Sequence, residues 1–437
     1  MHGDGMDVAR GPSASNRGIS ATKFRPGTHD WHRIPDRRGV MVILSIASCA
    51  VIVAATLGGT LLSTSGLGPS VENRVSQGAT AAGLVSAPSA RWAPAMAYDP
   101  SAKAVVLFGG QTLLPAPGSS PSFSNETWEF AQGKWTQLHP ASAPSARAWA
   151  GMTYDARDGY IVLFGGQVYN SAGTSRLFND TWKFSGGVWT NITPTHAPSP
   201  RAAFGMTYDV RDGYVLLYGG GQARGSCYGY PACALFDTWT FSNGTWSQVG
   251  SCGGVAQPSC GRSGPGIGWS LSMAYNRTDG SGKVILFGGV CGCGNYGGYA
   301  DYTWTYAGGH WKNISSTLLS APPGLVAAVM AHYVGAKGGQ DLLLFGGATS
   351  NVYGSSILQN ATYRLGSLRW DNLTSTLLEA PPTVVYPGMA WDGAASAIIL
   401  FGGSMCNSFF SGGSCGTSGS LLSNQTWEWH FGHWKLL

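Results

Sequence analysis

Six repeated four-stranded sheets closed into a ring, an all-β six-bladed propeller behind one N-terminal transmembrane helix, are predicted by three features of this sequence. The first is a short apolar run ended by two glycines, Val105-Val106-Leu107-Phe108-Gly109-Gly110, which recurs at 161–166, 215–220, 284–289, 342–347 and 398–403. Its glycine pairs are Gly165-Gly166, Gly219-Gly220, Gly288-Gly289, Gly346-Gly347 and Gly402-Gly403. Such a run reads as a strand buried on both faces, stopping where the backbone needs freedom that a side chain forbids. The second is a methionine-led strand upstream of each run: Met96-Ala97-Tyr98-Asp99, then its counterparts at Met152, Met206, Met273, Met330 and Met389. The third is an aromatic downstream (Trp128, Trp182, Trp239, Trp304, Tyr363, Trp427) with a tryptophan seven residues further on (Trp135, Trp189, Trp246, Trp311, Trp370, Trp434).

These marks define one unit. The turn between the two aromatic positions is short and glycine-bearing, as in Ser185-Gly186-Gly187, so those strands form a hairpin. Each unit is a four-stranded meander of roughly fifty residues, which cannot bury both faces of its own sheet. Six of them must pack on one another in a ring. The expected blades are 87–140, 143–194, 197–250, 261–316, 321–375 and 380–437. Each comes from one contiguous stretch, so ring closure is expected to rest on packing between the first and last blades, without a shared sheet.

The six diglycines, the strand-three aromatic and the tryptophan seven residues on resemble the Kelch repeat, the propeller family shared with the central domain of galactose oxidase. The resemblance covers residues 87–437. It implies the fold and leaves activity open, because such propellers serve as binding modules, adaptors and enzymes alike.

Ahead of the ring, residues 1–39 are polar and basic and read as a disordered cytoplasmic tail. Residues 40–62 carry no charge; a helix of that length is about 34 Å long, enough to cross a bilayer. The apolar run is longer than a signal-peptide core, and the basic region before it is long, so an uncleaved anchor is expected. Lys and Arg cluster before the span, with only Arg74 shortly after it, which places the propeller outside and the N-terminus in the cytoplasm of a single-pass plasma-membrane protein. Residues 63–86 read as a neutral stalk.

Charge and cysteine usage narrow the function. From Arg91 onward the chain holds 18 Lys/Arg and 16 Asp/Glu, with no basic stripe, which sets nucleic acid aside as a partner. Cys49 falls in the span. The other eight (Cys227, Cys233, Cys252, Cys260, Cys291, Cys293, Cys406, Cys415) fall in propeller loops and read as disulfides of an exterior domain. The pairs 227–233, 252–260 and 406–415 would close short loops; Cys291 and Cys293 would make a very tight ring and could pair with neighbours instead. No Cys-x-x-Cys or nearby histidine completes a metal site, and no cofactor is expected.

Nine Asn-x-Ser/Thr sequons suggest a glycoprotein: Asn125, Asn179, Asn191, Asn243, Asn276, Asn313, Asn360, Asn372 and Asn424. Seven of them, however, belong to the repeat itself. Blades without a strand-three sequon carry Asp237 or Asp301 there, as if a carboxylate or amide satisfied turn backbone groups.

In a meander, the strand-two-to-three loops share one face with the links between blades. The strand-two-to-three loops vary in length, and all eight cysteines fall on this face, so that variable face is the expected binding surface. On it, five residues before each methionine, stand Arg91, Arg147 and Arg201, with Gly268, Leu325 and Val384 in the other blades. Two readings follow: a half-ring of guanidiniums around the central funnel that binds a carboxylate or sulfate, or arginines that tie neighbouring blades together.

Catalytic signatures are sparse. The Ser-x-Asp-x-Gly-x-Thr-Trp boxes of sialidases are missing, as are the ligands that galactose-oxidase-like copper chemistry needs. His332 alone among the propeller histidines sits on an inner strand, and His430 and His433 flank a turn. The expectation is an extracellular recognition module for a glycan, a cell-envelope component or a protein. A carbohydrate-active enzyme and a structural envelope protein are the alternatives. An acidic pair on the axis would favour a glycosidase, and an axis lined by Met, Ala, Thr and aromatics would favour binding.

Overall fold

A computed structural model of the chain describes residues 87–437 apart from 114–119, 173, 223–232, 251–263, 277–281, 292–297, 335–339, 351–355 and 406–420. The tail, the span and the stalk lie outside the described residues. So do six of the eight loop cysteines and the side chains of the other two, Cys233 and Cys291, and with them the expected disulfides. Among the described residues no helix is long and apolar enough to cross a membrane.

Six four-stranded antiparallel sheets carry the fold, each a meander in chain order. The first blade pairs Ala95–Asp99, Ala104–Phe108, Thr127–Ala131 and Lys134–Leu138 in sequence. The last repeats this with Gly388–Asp392, Ala397–Phe401, Thr426–His430 and His433–Leu436. The second strands are the diglycine runs, and their apolar cores are almost wholly buried because a neighbouring sheet covers each face. Inner strands pack on one another in cyclic order, and Gly388–Asp392 closes onto Ala95–Asp99. No strand of one blade completes the sheet of another.

The diglycine owes its identity to the next blade. Gly109 and Gly110 have φ of 71° and 99°, and a Cβ on Gly109 would lie 2.5 Å from the Arg147 carbonyl oxygen. Gly110 N–H donates to that same carbonyl at 2.9 Å. Backbone of one blade thus presses on backbone of the next, and any side chain would hold them apart. Equivalent bonds run from Gly166 to Arg201, Gly220 to Gly268, Gly289 to Leu325, Gly347 to Val384 and, closing the ring, Gly403 to Arg91.

The outer tryptophans make a second set of clasps. In each, the indole N–H donates to the threonine that opens the third strand of the preceding blade: Trp189 to Thr127, Trp246 to Thr181, Trp311 to Thr238, Trp370 to Thr303 and Trp434 to Thr362. Trp135 to Thr426, at 2.9 Å, joins the first blade to the last. A buried indole needs an acceptor, and the neighbouring threonine supplies it.

A third device has no obvious mark in the sequence. Two residues after each arginine-equivalent position stand Ala93, Trp149, Ala203, Ser270, Ala327 and Tyr386, all non-glycine residues with φ of 50–57°. Each donates its backbone N–H to the carbonyl of the one in the blade before, and Ala93 donates to Tyr386 at 2.7 Å. The result is a closed belt of six hydrogen bonds around the axis, for which one strained residue per blade is held left-handed.

Candidate binding site

The belt lies at the head of the inner strands, on the face that carries the blade links. Trp92, Trp149 and Tyr386 fill it, with Trp92 and Trp149 edge-to-face at 5.0 Å and Tyr386 within 6 Å of both. The Tyr386 hydroxyl is hydrogen-bonded to the Ser270 hydroxyl across the axis. These groups plug the axis on the variable face.

The three arginines do not rim a funnel. Arg91, Arg147 and Arg201 are at most 1% exposed. Each guanidinium donates to the first glycine of its own diglycine: Arg91 to Gly109 O and Arg147 to Gly165 O at 3.0 Å, and Arg201 to Gly219 O at 2.9 Å. Each also pairs with an acid, Arg91 with Glu126, Arg147 with Asp180 and Arg201 with Asp237. The last two pairs are bidentate. Arg201 spends all its N–H donors on Ser199, Gly219 and Asp237. The guanidiniums serve the wall, while the arginine backbone makes the link between blades. Burial pushes Asp180 and Asp237 upward, but their bonds to arginine outweigh it and hold both carboxyls below the usual range.

This also corrects the alignment of Asp237. It stands two residues before Trp239, where Glu126 and Asp180 precede Trp128 and Trp182, and is not the counterpart of the sequon asparagines. It accepts the Trp239 indole N–H at 2.7 Å, as Asp180 accepts that of Trp182. The signal was in the sequence: the three blades with arginine are the three with an acid at this place, whereas the others hold Tyr302, Ala361 and Gln425.

The opening lies at the other end of the axis. A cavity of about 380 Å³ is lined by all six inner strands and by Pro100, Ala156 and Val210 of the first-to-second-strand turns. Met96, Met152, Met206, Met273, Met330 and Met389 form its deep ring. They wedge between blades, Met96 against Gly388 and Met273 against Gly205, and four of the six are only 8% exposed. Next come Ala97, Thr153, Thr207, Ala274, Ala331 and Ala390, and then a mouth ring of Tyr98, Tyr154, Tyr208, Tyr275, His332 and Trp391.

Two of the mouth tyrosines, Tyr98 and Tyr208, also reach the turn of the preceding blade. Burial and nearby Asp392 raise the Tyr98 phenol above its ordinary range, and burial and Asp155 do the same for Tyr208. Both therefore remain neutral over physiological pH. His332 and Trp391 face each other at 5.9 Å between ring centres. Among the described residues the lining contains no Asp, Glu, Lys or Arg. Among the described residues no group of three or more His, Cys, Asp or Glu is placed to hold a metal ion.

No family model matches the chain. Among solved structures it is similar to that of YjhT, at 16% identity and a TM-score of 0.50, over 80% of this chain and 98% of that one. At that identity the likeness shows the six-bladed propeller fold alone.

Proposed function

We propose that this chain is a Kelch-type recognition module, anchored in a membrane by residues 40–62 with its propeller outside, that takes a ligand into the axial cavity. The ligand is a glycan, a cell-envelope component or an exposed group of a protein. The observation that supports this reading is the lining: six methionines, small residues and six aromatic or imidazole rings around about 380 Å³. That volume is in the range of small-ligand pockets, which are mostly apolar with a few polar groups. Among the described residues the lining offers no carboxylate pair to act as acid and base on a glycosidic bond.

The test uses the full-length chain in detergent micelles, screened against immobilised glycans, envelope polymers and surface proteins beside Thr207→Trp. Thr207 is half-buried on the cavity wall, and an indole there intrudes into the space. Binding lost in Thr207→Trp with unfolding temperature unchanged supports the axial site, and binding indifferent to it moves the site to the loops of the opposite face. Resistance of the chain to alkaline extraction from membranes, lost when residues 40–62 are deleted, tests the anchor.

A further inference from the structure

We infer that the axial cavity receives the end of an uncharged saccharide, one sugar face lying on Trp391 and His332 and the hydroxyl rim meeting Thr153 and Thr207. This rests on the reading of the axial cavity as the binding site and names what that site selects.

Charge is the first argument. Among the described residues the cavity wall has no formally charged side chain. A carboxylate, sulfate or ammonium entering it would lose hydration with no counter-charge to replace it. The arginines that could have attracted an anion are spent inside the blades.

The departures from six-fold repetition are the second argument. The wall position after the methionine is alanine in four blades and threonine in the second and third, Thr153 and Thr207. Alanine at the equivalent places shows that the packing needs only a methyl group, so the hydroxyls are surplus to the fold. Both threonines are half-buried, and neither hydroxyl has a hydrogen-bond partner among the described residues. The mouth position is tyrosine in the first four blades and changes to His332 and Trp391 in the fifth and sixth. In a ring of six, the second blade faces the fifth and the third faces the sixth. Two free hydroxyls therefore oppose two flat rings across one cavity.

A pyranose has the matching anisotropy. Its axial C–H bonds make an apolar face that stacks on an aromatic ring, and its equatorial hydroxyls exchange hydrogen bonds at the edge. A wholly apolar ligand would leave the threonines unpaired, and an extended polymer would not fit a cavity plugged at its far end by Trp92, Trp149 and Tyr386.

The experiment is calorimetric titration of the full-length chain in detergent micelles. The probes are neutral disaccharides of glucose, galactose, mannose and N-acetylglucosamine, with glucuronic acid and glucosamine as charged counterparts. At least one neutral disaccharide is expected to bind, with the charged sugars at least about tenfold weaker. Trp391→Ala is expected to weaken binding about tenfold, and Trp391→Phe to recover most of the loss. Thr153→Val with Thr207→Val is expected to weaken it about tenfold at an unchanged unfolding temperature. Selective binding of a charged sugar, or neutral-sugar binding abolished by Thr207→Trp yet untouched by Trp391→Ala, overturns the inference and leaves the axial site standing. If no probe, sugar or protein, responds to Thr207→Trp, the inference and the axial site fall together.

Discussion

Removing Asp237 from beneath Arg201 is the sharpest test of the wall. The guanidinium is 0% exposed and its partner 16%, with the two oxygens at 2.7 and 2.9 Å. Asp237→Ala leaves a buried cation without its counter-charge, a change that costs about 3–5 kcal/mol in comparable pairs. The fifth blade shows the alternative, since Leu325 and Ala361 occupy the same two positions. Arg201→Leu combined with Asp237→Ala removes both charges, and the double variant is expected within about 1–2 kcal/mol of the parent. The lost acceptor of the Trp239 indole is common to the single and double variants, so it cancels in the comparison.

The other pairs grade the effect. The carboxylates of Asp180 and Glu126 are 24% and 38% exposed, so water can partly replace them, and the cost should fall in the order Asp237, Asp180, Glu126. The assay is equilibrium urea unfolding followed by tryptophan fluorescence at neutral pH. Because the folded-state pKa of Asp237 is depressed, its contribution is present above the unfolded carboxylate value and fades as pH falls through the folded one. A double variant as unstable as Asp237→Ala, or a single variant costing under about 1 kcal/mol, would refute the argument that an unpaired buried guanidinium dominates.

Two further predictions concern the same framework. Thr181→Val removes the acceptor of Trp246 and should cost about 1–3 kcal/mol by urea unfolding; Thr426→Val, at the closing interface, should cost a similar amount. A much smaller loss at Thr426 would show that the ring is not closed like its other joints. Asp209 is buried, with Oδ1 taken by the turn N–H groups of Arg211 and Asp212 and Oδ2 unpartnered, and burial raises its pKa to about 6. A raised carboxyl contributes stability at low pH that is lost as pH climbs through about 6. Asp209→Asn, the amide already used at Asn276, should therefore stabilise by about 3 kcal/mol at pH 8 and by almost nothing at pH 4, measured as midpoint shifts. Equal effects at both pH values would rule out the titration.

By itself the sequence determined the repeat number, the strand order of each blade, the role of the diglycine as a chain stop and the closure of the ring without an exchanged strand. It could do so because each is a local pattern copied six times, and a sheet with two apolar faces has few ways to bury both. The acids that pair with the arginines were legible too, through their presence in only the three arginine blades, but alignment on the sequon asparagine hid them at Asp237. What only the tertiary structure decided is where the repeat's polar groups point. Whether Arg147 faces a funnel or a wall depends on Gly165 and on Asp180, 33 residues away, and composition carries no information on that direction. The belt of left-handed residues is equally silent, since Ala93, Trp149 and Ser270 share no side-chain property. Their conformation is imposed by the hydrogen bond each makes to the next blade. The same closure plugs one end of the axis and leaves the cavity to open at the other.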